Sequence, residues 1–226
     1  FTLESTVTTI VNYAFLFTGL TSITIPSTVT TIGISTFSNC GSLTTVNWLT
    51  LYNTIPSSCF QGCSALNLFT SVVSNATSGL TIPSTVTIVG SGAFYGCSSV
   101  NSVSWLTSYN TIPSSCFQGC SALKSFTIPS TVTIIGNGAF QGSGLTSIIV
   151  PSTVTTVGSS AFSGCASLTS VNWLTSYNTI PTSCFYGCSA LKSFTISPNV
   201  TSIAANAFQQ SGLTSITVPS TVTTIG

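Results

Sequence analysis

The chain has 226 residues, of which 43% are hydrophobic and 1% charged; Glu4, Lys124 and Lys192 carry all the side-chain charge, for a net +1. With no His, Asp or Arg and a single Glu, it holds neither the imidazole nor the paired carboxylates of general acid–base catalysis, nor the basic residues that displace counterions from nucleic acid. No run of ~18 apolar residues is present, so no membrane-inserted helix is predicted, and no cofactor is expected.

Read in chain order, the whole sequence is repeat. PSTVTTIG fills 26–33 and returns at 219–226, with variants at 83–90, 129–136 and 151–158. A second string, YNTIPSSCFQGCSAL, fills 52–66 and 109–123, and a close variant fills 177–191. Aligned on these, the coils run 4–25, 26–48, 49–71, 83–105, 106–128, 129–150, 151–173, 174–196 and 197–218, each of 22 or 23 residues. A coil with one Cys precedes a coil with two and then a coil with none, which makes a super-repeat of 68 residues from Trp105 to Trp173. Trp48 and Trp105 are only 57 apart. The deficit falls at 72–82, read as an irregular stretch or bulged loop.

Within a coil, Leu168, Val171 and Trp173 have the spacing LxxLxL, and the last two show the period of a strand. Val154 and Val157 give a second inward pair on the far side, between Pro151 and Gly158 as bend markers. Ala161 and Phe162 lie in a piece expected to form a short helical or 3₁₀ turn. The predicted fold is a mainly β, leucine-rich-repeat solenoid, one continuous domain over 1–226, with one strand ladder and short turns opposite it. A single coil cannot bury its apolar residues, whereas stacked coils share one core.

The recurring order I-P-S-x-V-T-x-I-G-x-x-A-F-x-G-C-x-S-L-T-S-V resembles the BspA-like leucine-rich repeat, over essentially the whole chain. The resemblance implies an extracellular or cell-surface protein of the kind found in bacteria and protists, engaged in adhesion to host or matrix molecules. The chain departs from that family's ordinary surface charge.

The cysteines recur as Cys40, Cys59, Cys63; Cys97, Cys116, Cys120; and Cys165, Cys184, Cys188. Cys40 and Cys63 hold one coil position a turn apart, as do Cys97 and Cys120, and Cys165 and Cys188; at ~5 Å they fit the disulfide window. Bridges within each triple and burial as reduced core residues are both open readings. Cys59, Cys116 and Cys184 replace a buried Ala. The spacing is a poor zinc pattern, and no base is present to activate a catalytic thiol. Two N-glycosylation sequons begin at Asn75 and Asn199. Trp48, Trp105 and Trp173 fall at inward positions and are expected in the core, as are Tyr52, Tyr109 and Tyr177 in place of Val.

Outward positions of the strand ladder form a polar face that includes Thr21, Thr24, Thr44, Asn47, Thr127, Thr146, Thr169, Asn172, Thr214 and Thr217. Such an array of hydroxyls suits sugars, ice or another copy of itself. The leading expectation is an extracellular structural solenoid in a fibre, wall or coat, associating with itself head-to-tail or laterally. Coils are expected to continue beyond both termini, in the same polypeptide or a neighbouring copy. The alternative is an adhesion ectodomain that binds glycans or matrix molecules on the Ser/Thr/Asn face, and a minor reading is ice binding.

Overall fold

The computed structural model describes residues 1–71 and 79–226. Short stretches in which branched apolar residues alternate with Ser, Thr or Asn become strands, because one side of the pleat meets the core and the other meets water. They are Ser22–Ile25, Thr45–Trp48, Leu68–Ser71, Gly79–Ile82, Val103–Trp105, Ser147–Val150 and Ser170–Trp173. All pair parallel and lie along one face of the rod. Ile23, Ile25, Val46 and Trp48 point inward and are fully buried. No helix occurs among the described residues.

The far side carries more order than turns alone. Two-residue strands such as Thr111–Ile112, Ile134–Ile135 and Thr156–Val157 pair parallel and bury Ile112, Ile135 and Val157. Coils with the PSTVT string enter this side through a Pro-led turn, closed by Val132 N–H to the Pro129 carbonyl at 3.0 Å and by Val154 N–H to that of Pro151 at 3.1 Å. These coils leave it through a glycine where coils approach closely. A Cβ on Gly136 would stand 2.4 Å from the backbone nitrogen of Ser114.

The third side, where a short helical or 3₁₀ turn is expected, is a run of turns. Two residues four apart take positive φ in each coil, for example Gly92 and Gly96, Ser115 and Gly119, or Ser160 and Gly164. Alternate N–H groups then point in two directions. Those of Gly92, Phe94 and Gly96 donate to carbonyls of Ser114, Cys116 and Gln118 in the next coil, while those of Ala93, Tyr95 and Cys97 donate back within their own coil. A helix would direct every N–H along its own axis and leave the neighbouring coil unbonded; this path satisfies both.

Each such turn sends one Phe inward. Phe15, Phe37, Phe60, Phe94, Phe117, Phe140, Phe162, Phe185 and Phe208 stack as one column, with successive ring centroids 5.3–5.9 Å apart and rings within 20° of parallel. This column is the spine of the core.

Residues 79–82, assigned from sequence to an irregular stretch, form a strand. It inserts in the face between Leu68–Ser71 and Val103–Trp105. On the far side no strand is added: Thr54–Ile55 pairs directly with Ile88–Val89. At this place the face therefore carries a strand that the far side does not match, and Phe60 and Phe94 still stack at 5.7 Å behind it.

Candidate functional site

The polar face divides into two columns with different duties. Thr44 and Thr169 donate both N–H and hydroxyl to the carbonyls of Thr21 and Thr146, at 2.8–3.0 Å. Thr146 and Thr214 make the same paired contacts to Lys124 and Lys192. These hydroxyl protons bind neighbouring coils together and are not offered to a ligand. The second column lies on the strands: Thr24, Asn47, Thr70, Thr81, Ser104, Thr127, Ile149, Asn172, Thr195 and Thr217. At its start it bonds to itself, Asn47 Nδ2 to Thr24 Oγ1 at 3.2 Å and Thr70 Oγ1 to Asn47 Oδ1 at 2.8 Å. Further along, Thr127, Asn172 and Thr217 are exposed.

Ile149 interrupts this column. It is 57% exposed in a row otherwise made of hydroxyls and amides. Around it lies a groove of about 670 Å³, walled by Ser147, Ser170, Asn172, Leu174, Thr195 and Pro198, with Trp173 at its base. A second groove continues from Ile149 across Ser125, Thr127 and Pro151. No charged side chain lines either one. The surface pairs apolar patches with neutral donors and acceptors, which suits an uncharged, partly apolar ligand and offers no group to do chemistry on it.

Sequence reasoning placed Asn172 and Thr127 on this surface and missed Ile149 and Leu174. The signal for Ile149 is present in Ser147-Ile-Ile-Val150, two adjacent Ile where other coils put Thr or Asn second. Leu174 follows the inward Trp173 and is 53% exposed. Beside it Thr175 is buried, donating to the Val154 carbonyl at 2.5 Å and accepting from Tyr177 N–H at 3.0 Å. Thr50 and Thr107 do the same. The recurring W-L-T-x-Y string encodes this.

The three Trp are core residues as expected, packed edge-on to Phe60, Phe117 and Phe185. Their indole nitrogens are buried without a hydrogen-bond partner among the described residues. Tyr52, Tyr109 and Tyr177 are partly buried against the same core.

All nine cysteines are buried free thiols in this structure; Cys40 and Cys63, Cys97 and Cys120, and Cys165 and Cys188, for which the spacing leaves bridging and reduced burial both open, stand in a hydrogen-bond ladder. Each of those six thiols donates to the Phe carbonyl of the preceding coil at 3.0–3.3 Å. The same column holds Thr18, whose hydroxyl meets Cys40 at 3.2 Å, and Ser143, which meets Cys165 at 3.3 Å. The position selects a small buried donor, and Cys is one of three that serve. Cys63 also adjoins Cys97, the next cysteine of this column. Cys59, Cys116 and Cys184 take the place of Ala93, Ala139 and Ala161 as expected. Burial pushes their thiols up, and likewise Cys120 to about 12, Cys188 to about 12 and Cys165 to about 11. Cys40 goes the other way: the adjoining Cys63 side chain and the Thr18 hydroxyl hold it below the usual thiol value, while the Cys40 side chain and burial raise Cys63.

Of the two sequons, Asn75 lies outside the described residues. Asn199 is exposed, but its Nδ2, the atom a glycan would take, donates to the Thr175 carbonyl at 3.0 Å. Among the described residues no cluster of His, Cys, Asp or Glu could hold a metal ion, and no helix is long and apolar enough to cross a membrane.

A model of the BspA type leucine-rich repeat region matches residues 1–79, 67–122 and 110–226, in six copies. The chain belongs to the BspA-type leucine-rich repeat family. Among solved structures, a leucine-rich cell surface protein of Faecalibacterium prausnitzii superposes with a TM-score of 0.61 at 23% identity, over 98% of this chain and 82% of that one. A leucine-rich repeat protein of Bacteroides ovatus gives 0.53 at 25% identity, covering 97% and 78%. The pneumococcal vaccine antigen PcpA gives 0.54 at 16% identity, covering 93% and 71%. No curated protein sequence matches. These neighbours carry the same solenoid.

Proposed function

We propose that this BspA-type solenoid is a cell-surface, non-catalytic binding protein that takes an uncharged ligand on its strand face, in the groove around Ile149, Asn172 and Leu174. The single observation that carries this reading is the groove itself. It puts exposed apolar side chains among neutral hydroxyls and an amide, on the side of the rod where those groups are not all engaged between coils. Description of the F. prausnitzii protein as a cell surface protein supports the location.

Screening the intact protein against immobilised neutral glycans and neutral peptides tests it. Ile149→Lys and Leu174→Lys, both at exposed positions, are expected to weaken any ligand so found at least tenfold with no change in thermal stability. Ligands that ignore both substitutions would move the site elsewhere. A second reading, lateral association into a wall or coat, draws support from the near absence of charge, which promotes self-association. Light scattering across a concentration series separates it from a monomeric binder.

A further inference from the structure

Three junctions of the strand face are equivalent by sequence, each joining a Trp strand to the strand of the following two-Cys coil. At the first, Thr45–Trp48 pairs with Leu68–Ser71 over four residues. At the second and third, Val103–Trp105 and residues 125–128, and then Ser170–Trp173 and residues 193–196, no pairing forms. Burial follows the pairing. Val46, Trp48 and Phe69 are 0% exposed at the closed junction, whereas Trp105 and Phe126 are each 6% exposed and Ile128 is 7%. Trp173, Phe194 and Ile196 repeat the pattern at 4–6%, and Val103 and Val171 are only half-buried.

A proline at or just after the end of the strand accompanies the open junctions. Where the residue after the strand is Leu, its N–H adds a last rung: Leu49, Leu106 and Leu174 donate to the carbonyls of Ile25, Ile82 and Val150 at 2.9–3.0 Å. Where it is Pro the rung has no donor, and the residue before the ring is itself restricted. Residues 125–128, ahead of Pro129, pair with nothing, and Ser147–Val150, ahead of Pro151, pairs only with the strand after it. Residues 215–218, ahead of Pro219, hold a single bridge, Thr195 to Thr217. Gly79–Ile82, ahead of Pro83, pairs backward only at Gly79 and Leu80. At the third junction Ser197 stands in this place and Pro198 follows it. These seams leave strand edges with unpaired N–H and C=O groups, the template that an added strand uses.

The chain shows that such a seam can hold one. Gly79–Ile82 is a face strand without a coil of its own, wholly buried between its neighbours. The Phe column behind it keeps its 5.7 Å spacing, so the coils open on the face while staying closed at the spine. We propose that the seams beside Trp105 and Trp173 bind an extended, uncharged peptide strand of a partner protein, inserted parallel to the face strands, with branched apolar residues inward and small polar residues outward. The absence of charge from the groove lining and the Gly-Leu-Thr-Ile sequence of the resident strand both specify that chemistry. This deepens the binding role proposed above and rests on it.

Hydrogen exchange on the intact protein tests the seam before any ligand is added. Amides of 125–128 and 193–196 are expected to exchange at least tenfold faster than those of the equivalent paired strand, Leu68–Ser71; equal protection would overturn the proposal. A capped synthetic peptide, Ser-Gly-Leu-Thr-Ile-Thr-Ser, is then expected to slow exchange at 193–196 at least tenfold. Its backbone N-methylated form should fail to do so, and Ile149→Lys should weaken the effect at the Trp173 seam. Absence of peptide binding at millimolar concentration, or binding indifferent to N-methylation, would also overturn it. A neutral glycan that binds in an Ile149-dependent way without protecting these amides would overturn strand insertion alone and leave the binding role standing.

Discussion

Phe117 sits near the middle of the ring column, with Phe94 at 5.9 Å on one side and Phe140 at 5.7 Å on the other. Phe117→Ala removes both stacks and opens a void that two coils share, and by core precedent it should cost about 3–5 kcal/mol in denaturant unfolding. Thr127→Ala, on the exposed face, should stay within ~0.5 kcal/mol. A similar loss at both would contradict a core built on the Phe spine. The thiols give a second test at this scale. Apart from Cys40, their folded pKa values lie above the ordinary thiol value, Cys165 near 11 and Cys120 and Cys188 near 12, so above that ordinary value the unfolded chain releases protons that the folded chain retains. Stability is therefore expected to fall as pH rises from about 9 toward 11–12, while Cys40, held at about 6, contributes stability that is lost as pH falls from the ordinary thiol value toward 6. With no His and one carboxylate, no further loss of comparable size is expected below that. Alkylation should be slow on native protein and should count nine thiols after denaturation; pairs missing from that count would restore the inter-coil bridges.

At the scale of the coil, the close approach at the far-side bend is the strictest local demand. Gly136→Ala would put a methyl 2.4 Å from the Ser114 nitrogen and 2.8 Å from the Pro113 carbonyl carbon. Both are backbone atoms that cannot rotate away, so overpacking of roughly 1–3 kcal/mol is expected, read as a lowered midpoint in thermal unfolding. Coil boundaries and inward positions were legible because strings such as PSTVTTIG fix the register, and LxxLxL fixes the face. The far-side ladder was not, since two residues are too few to show a period and Pro and Gly at its ends signal only a bend. Nor was the turn path behind Ala-Phe, where a small residue, Ala, Phe and Gly fit a helical turn equally well; bonding to the next coil decides between them. The strand at 79–82 escaped notice because it comes without a coil.

Across the whole molecule, neutrality is the governing property. Binding on a face without charged lining should change less than twofold between 50 and 500 mM salt, since no ion pair is there to be screened; a steep salt dependence would bring Lys124 or Lys192 into the site. The hydroxyl columns were legible in the sequence, but not which hydroxyls are free, because that depends on whether each Thr meets a carbonyl of the coil before it. The seams were present as prolines, visible as punctuation, while their effect on pairing required three equivalent junctions to be compared in space. The most direct test of a ligand-binding strand face is the hydrogen-exchange footprint of a bound neutral ligand along the full rod. Protection is expected at 125–128, 147–149, 170–174 and 193–197, with the turns at 92–96, 115–119 and 160–164 unchanged. Protection on those turns, with the strand face unaffected, would contradict it.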